Sequence, residues 1–144
     1  MKRQQLLLLI LAFGVFSILN TEMGIIGILP MAAAMYQVDI VQAGMLVSLF
    51  ALGVAIAGPT MPLLCSRFNR KHVMLLVLGV FTICNALAVV ASDFQLLLVL
   101  RVVPAFFHPV YCALAFSVAA ASVAPEDAPR AVARINMGVA AGMV

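Results

Sequence analysis

The sequence predicts an all-α fold, namely a polytopic bundle of membrane-spanning helices. Of the 144 residues, 66% are hydrophobic and only 9% are charged, a composition far from that of soluble globular domains. The apolar residues form long runs, and nearly all of the few Lys and Arg residues fall between these runs. Long apolar runs separated by basic loops are typical of helices that cross a bilayer.

Four of the apolar runs are long enough to cross a membrane. A bilayer core about 30 Å thick requires about 20 helical residues, and the runs cover residues 5–30, 40–65, 73–91 and 94–123. A fifth run, 133–144, would give about 18 Å of helix, which is too short to cross. We therefore expect residues 1–144 to form one partial N-terminal transmembrane domain, with four full spans and part of a fifth.

The basic residues predict how the chain is oriented. Seven of the eight Lys and Arg residues lie before span 1, between spans 2 and 3, or between spans 4 and 5. The intervening loops, 36–39 and 92–93, contain neither residue type. The positive-inside rule therefore predicts a multi-pass membrane protein with its N-terminus in the cytoplasm. The absence of a small-x-small cleavage pattern after Leu19 favours an uncleaved first span over a signal peptide.

The net charge and the cysteines exclude several classes of function. The net charge of +3 is explained by topology and by contact with anionic membrane lipids, so we expect no nucleic-acid partner. Cys65, Cys84 and Cys112 are widely separated and lack the spacing of a zinc site, which favours a packing role. No nucleophile elbow, phosphate-binding glycine loop or HExxH motif is present. We expect no enzyme activity, no cofactor and no metal.

Glu22 is an acidic residue inside the first apolar run. A carboxylate at that depth is unfavourable unless it is neutral, paired or facing water, so Glu22 is a candidate cavity residue. The alternative is that Glu22 reaches the outer interface, because the run is longer than a membrane requires. The opposite face of the helix carries small and polar residues, namely Ser17, Asn20, Gly24 and Gly27. Gly24 and Gly27 are expected to let a neighbouring helix approach closely.

The fourth run contains signals for a start and for a kink. Ser92 and Gln95 have the spacing of a capping box, which predicts that a helix begins there. Pro104 and Pro109 lack a backbone N–H group, so we expect them to kink this helix.

A polar stripe follows one face of the same run. A buried arginine keeps its charge, so Arg101 is expected to face the bundle interior or a water-filled path. Histidine changes charge near neutral pH, so His108 is a candidate for proton transfer or ligand binding, with a structural hydrogen-bonding role as the alternative. The stripe consists of Arg101, Ala105, His108, Cys112 and Ala115.

The basic loop between spans 2 and 3 resembles a motif of the major facilitator superfamily. Arg67, Arg70 and Lys71 match the basic positions of that motif. Three positions depart from it, because Pro62 and Asn69 replace glycines and Ser66 replaces an aspartate. These bases either orient the loop at the anionic leaflet only, or also form contacts that change during gating.

Two further segments resemble the same family. Arg101-Val-Val-Pro-Ala105 is similar to the helix 4 motif, in which Ala105 takes the place of a packing glycine. Residues 21–30 resemble helix 1 of the bacterial sugar and drug efflux branch, the relatives of arabinose and purine exporters, and that branch commonly has a histidine near position 108.

The resemblance implies a fold and a function. Family members have two six-helix halves and transport by alternating access, so this chain would be an incomplete first half. It implies an inner-membrane antiporter that exports small molecules such as drugs, sugars or nucleosides, with protons as the coupling ion. Glu22, Arg101 and His108 would lie in the cavity, and the missing C-terminal helices would be required.

Two alternatives from other classes stay open at this stage. One is a compact four-helix multidrug transporter that acts as a dimer, which also carries a glutamate in its first helix. The other is an inactive truncated remnant or an accessory membrane protein.

Overall fold

The computed structural model describes residues 2–144, and the side chains of residues 3–144. Within this part the chain is helical and contains no strand. The helices are α1 (Lys2–Tyr36), α2 (Ile40–Cys65), α3 (Arg70–Val89), α4 (Phe94–Ala105), α5 (His108–Ala121) and α6 (Ala128–Gly142), with a 3-10 helix at Pro125–Asp127.

Four helical stretches of the described chain have the length and apolar composition needed to cross a membrane. They are Arg3–Tyr36, Ile40–Cys65, Arg70–Val89 and Phe94–Ala121, the last of which comprises α4 and α5. The predicted all-α membrane helix bundle with four full spans is therefore confirmed.

The chain divides into two compact units. One unit contains the residues up to Met23 together with Tyr111–Val144, and the other contains Gly24–Val110. Within the second unit, α4 packs against both α2 and α3. Its buried apolar cluster consists of Ala32, Leu46, Ala91, Phe94 and Leu97.

Helix α1 continues past Pro30, where the apolar run was predicted to end. It has 35 residues, which at about 1.5 Å per residue exceeds the bilayer core of about 30 Å. The helix ends in a Schellman arrangement, in which the Val38 N–H donates to the Ala33 carbonyl at 3.0 Å. Gln37 takes the left-handed conformation that this ending requires, with a φ of 52°. The Tyr36 hydroxyl then donates to the Ala91 carbonyl at 2.8 Å, which ties this end of α1 to the start of α4.

Helix α3 begins at Arg70, three residues before the predicted span. Asn69 caps it, because the Asn69 side-chain oxygen accepts a hydrogen bond from the Lys71 N–H at 3.0 Å. Arg70 and Lys71 therefore form the first turn of α3 rather than part of a loop, and Arg67 lies in the short turn between α2 and α3.

The fourth span is interrupted, as the prolines predicted. Helix α4 ends at Ala105 and α5 begins at His108, and the Phe107 N–H donates to the Pro104 carbonyl at 3.0 Å across the turn. Pro109 lies in the first turn of α5, where its missing N–H leaves no helical hydrogen bond unmade. The capping box was predicted with Ser92 as the N-cap residue. This is wrong, because Asp93 is the residue that immediately precedes α4.

The fifth apolar run lies in α6, which starts at Ala128 instead of residue 133. Arg130 and Arg134 are therefore helical residues rather than loop residues. Helix α6 packs very closely on α1, since a Cβ atom at Gly138 would overlap the Ala12 carbonyl oxygen. One turn later, a Cβ atom at Gly142 would lie only 2.7 Å from the Phe16 carbonyl oxygen. This G-x-x-x-G spacing is a close-packing pattern of membrane helices.

Candidate functional site

Phe50 lies in contact with both predicted cavity residues of the fourth span. The guanidinium carbon of Arg101 lies 5.2 Å from the centroid of the Phe50 ring, which is a cation–π contact. The His108 ring meets the Phe50 ring edge-on, with centroids 6.0 Å apart and planes at 77°. We call Phe50, Arg101 and His108 the Phe50 cluster. All three belong to the unit Gly24–Val110.

The Phe50 cluster is buried within its unit. Phe50 is 2% exposed and Arg101 is 9% exposed, while His108 is half-buried. A charged guanidinium removed from solvent needs electrostatic compensation, and the negative face of an aromatic ring supplies part of it. The cluster is therefore a charged site held among apolar helices.

Close packing of α2 on α4 sets the geometry of the Phe50 cluster. A Cβ atom at Gly53 would lie 3.0 Å from the Cβ atom of Ala105, which is fully buried. Gly53 and Ala105 lie one turn beyond Phe50 and Arg101 on their helices. The approach of the two helices at this point therefore holds Phe50 next to Arg101.

The helix break determines where His108 lies. The predicted five-residue stripe assumed one continuous helix, but the turn at Phe106 and Phe107 interrupts it. A helical projection counted from Arg101 therefore does not by itself fix where the residues after that turn lie. His108 still meets Arg101 at the Phe50 ring, because it begins α5 immediately after the turn.

Glu22 belongs to the other unit and is half-buried. It follows Ile18 by four residues, so it continues the face of α1 on which Val15 and Ile18 are buried. Thr21, its neighbour, donates its hydroxyl to the Ser17 carbonyl at 2.9 Å. Glu22 therefore lies on the packed side of α1.

Gly24 and Gly27 do not meet another helix of the described chain. A Cβ atom added at either glycine would have no other described residue within 4 Å, beyond its own helix. Their packing role stays a prediction, whereas Gly53, Gly138 and Gly142 do lie at close helix contacts.

The basic motif lies at the surface of its unit. Arg67, Arg70 and Lys71 are exposed. Ser66, which stands where the family motif has aspartate, donates its hydroxyl to the Leu63 carbonyl at 2.6 Å and so closes the end of α2. Among the residues whose side chains are described, no three His, Cys, Asp or Glu residues are grouped to hold a metal ion.

Sequence reasoning missed Phe50 and the glycine contacts. Phe50 is one of nine phenylalanines and carries no charge or motif that distinguishes it. The spacing of Gly138 and Gly142 was a readable signal, because a G-x-x-x-G pattern in an apolar helix indicates a close helix contact.

Comparison with known proteins identifies the family. The sequence profile of the Major Facilitator Superfamily matches residues 11–144. The chain belongs to the major facilitator superfamily. The resemblance seen in the basic loop and in the fourth span is thereby confirmed. The alternative prediction, that the chain belongs to a family of compact four-helix multidrug transporters, is wrong.

Several curated transport proteins are similar to the chain. The inner membrane transport protein YdhP of Escherichia coli K12 is 36% identical over 132 residues, which are 92% of this chain and 34% of YdhP. The putative transporter AraJ of the same strain is 31% identical over 132 residues, again 92% of this chain and 34% of AraJ. A probable sugar efflux transporter of Helicobacter acinonychis is 28% identical over 108 residues, or 75% of this chain and 28% of that protein.

The chain spans about a third of the length of these relatives. No solved structure matches it significantly.

Proposed function

We propose that this chain belongs to an inner-membrane secondary transporter that exports small molecules in exchange for protons by alternating access. The observation that carries the proposal is the buried Phe50 cluster, a fixed charge and a titratable ring side by side within a membrane helix bundle. Membership of the superfamily and similarity to a probable sugar efflux transporter support export. Drugs, sugars and nucleosides are the proposed substrate classes.

Each candidate residue has a distinct role in this proposal. Arg101 keeps its positive charge and attracts anionic or polar groups of the substrate. His108 carries the proton, since histidine is the side chain that changes charge near neutral pH. Glu22, on the packed face of α1, provides a second proton-exchanging group at a depth where carboxylates are typically functional. Phe50 positions Arg101 and His108.

Proton-driven efflux from cells that express the whole gene product tests these roles. We expect Glu22→Gln, Arg101→Gln and His108→Gln each to reduce export at least about tenfold, because each removes a charge or proton carrier from the transport path. Asn85→Ala is the matched control, since Asn85 is an exposed amide on α3, outside the Phe50 cluster. Membrane levels of every variant are measured in parallel. Normal export by all three variants would contradict the assignment.

In this proposal the N-terminus and the basic motif lie in the cytoplasm. Arg67, Arg70 and Lys71 then contact the anionic leaflet and exchange ionic partners as the transporter rocks.

Accessibility of single cysteines tests the orientation. In a variant in which Cys65, Cys84 and Cys112 are replaced by alanine, we introduce either Phe68→Cys in the basic turn or Ser92→Cys before α4. Both positions are exposed. Because a charged maleimide does not cross the membrane, we expect it to label Ser92→Cys in intact cells and Phe68→Cys only after permeabilisation. The reverse pattern would invert the proposed topology.

A further inference from the structure

An apolar groove runs between α1 and α6. This open groove has a volume of about 550 Å³, within the range of about 300–1,000 Å³ that is typical of ligand pockets. Its walls are almost entirely apolar, formed by Leu9, Phe13 and Phe16 on α1 and by Met137 and Ala141 on α6. Gln5 and Arg134 are the polar residues of the lining.

A basic pocket adjoins the groove at its polar end. This pocket of about 190 Å³ is lined by Arg130 and Arg134, which face the same side of α6 because they are four residues apart. Arg134 and Gln5 line both the pocket and the groove, so the two spaces are contiguous. Gln4 completes the polar lining and also donates a hydrogen bond to the Ser122 carbonyl, which joins α1 to the chain after α5.

One carboxylate also lines the basic pocket. Asp127 pairs with Arg130 at 3.6 Å, but both side chains are largely exposed, at 55% and 87%. An exposed ion pair of this kind is weak and exchanges partners readily. Two guanidinium groups against one carboxylate leave the pocket with a net positive charge, which favours an anion.

The dimensions of the groove match one leaflet of a bilayer. Phe16 lies eleven residues after Gln5, which corresponds to about 16 Å of helix. The hydrocarbon core of a bilayer is about 30 Å thick, so a groove of this length that starts at the interface reaches about the middle of the membrane. With its basic end at the level of the lipid headgroups, the groove has the length to hold one acyl chain within a single leaflet.

We infer that the groove binds one anionic phospholipid. The phosphate accepts hydrogen bonds from the guanidinium groups of Arg130 and Arg134, whose planar donor geometry suits phosphate oxygens. One acyl chain lies between α1 and α6 along Phe13, Phe16 and Met137. This site is distinct from the residues of the proposed transport reaction, because its lining contains none of Glu22, Arg101 and His108.

Lipid retention by the purified full chain tests this inference. The chain is incubated in detergent with phosphatidylglycerol or phosphatidylcholine, and bound lipid is counted by native mass spectrometry. We expect one phosphatidylglycerol per chain and much weaker retention of phosphatidylcholine. The double variant Arg130→Gln/Arg134→Gln should lower the affinity for phosphatidylglycerol about tenfold or more.

The matched control removes the same charge elsewhere. Arg67→Gln/Arg70→Gln should lower retention much less than Arg130→Gln/Arg134→Gln, because the exposed Arg67 and Arg70 can attract lipid at the surface but line neither the groove nor its basic pocket. Equal losses in the two double variants would show diffuse attraction to lipid and overturn the inference. Full competition by inorganic phosphate would identify a soluble-anion site instead.

A second pair of variants tests the groove itself. Ala141→Phe places a ring in the groove and should reduce retention, whereas Ala140→Phe, at the exposed neighbouring residue outside the lining, should not. Helix content measured by circular dichroism confirms that each variant is folded. Unchanged retention in folded Ala141→Phe would mean that the groove holds no acyl chain and is covered by another protein segment.

Discussion

Replacing Gly138 with alanine is expected to destabilise the chain, although alanine is the better helix former. A Cβ atom at this position overlaps the backbone carbonyl of Ala12, which cannot rotate away as a side chain could. Overpacking of this kind costs up to about 3 kcal/mol, while the gain in helix propensity is at most about 1 kcal/mol. We therefore expect the free energy of unfolding to fall by about 2 kcal/mol, measured in mixed detergent micelles.

Gly79→Ala is the matched control for this prediction. Gly79 also lies inside a membrane helix, α3, but a Cβ atom there has no other described residue within 4 Å beyond its own helix. The same chemical change should therefore be neutral or stabilise by up to about 1 kcal/mol. If Gly138→Ala were as harmless as Gly79→Ala, the close contact between α6 and α1 would be wrong.

Replacing Phe50 with leucine is expected to weaken the Phe50 cluster as a unit. Leucine keeps much of the apolar volume but has no π face for Arg101 and no ring edge for His108. A cation–π contact away from water contributes about 2 kcal/mol, so we expect a loss of about 2 kcal/mol in the free energy of unfolding. Under the proposed transport function, export should fall as well, since Arg101 and His108 lose the ring that positions them.

A double-mutant cycle separates this contact from ordinary packing. Phe50→Leu and Arg101→Gln should show a coupling energy of about 2 kcal/mol, because each removes one partner of the same contact. Phe81→Leu is the control, since Phe81 is a buried phenylalanine of α3 with only 4% exposure. Its coupling to Arg101 should be near zero. Equal coupling energies of Arg101 with both phenylalanines would contradict a specific cation–π contact between Phe50 and Arg101.

Much of the fold was predictable because it depends on local composition. The four spans follow from apolar runs longer than a bilayer core, and the interruption of the fourth span follows from the proline at position 104. Helix ends were predicted less well. Pro30 lies inside α1, and Asn69 starts α3 early, because capping hydrogen bonds decide these boundaries and hydropathy does not detect them.

The candidate site was predictable only in part. Arg101 and His108 were recognisable as polar residues in an apolar run, since a membrane makes such residues unfavourable without a reason. Their shared neighbour Phe50 was not recognisable, because it is one apolar residue among many and lies about fifty residues earlier in the chain.

By itself, the sequence determined the fold class, the number and order of the spans, the distribution of basic residues and the family. These properties depend on which residues are adjacent along the chain, and hydropathy and short motifs record that adjacency. Only the tertiary structure decided that Phe50 joins Arg101 to His108, that Gly138 meets Ala12, and that a basic pocket opens into an apolar groove. Such contacts depend on how closely two helix backbones approach, and that distance is set by packing between residues remote in sequence.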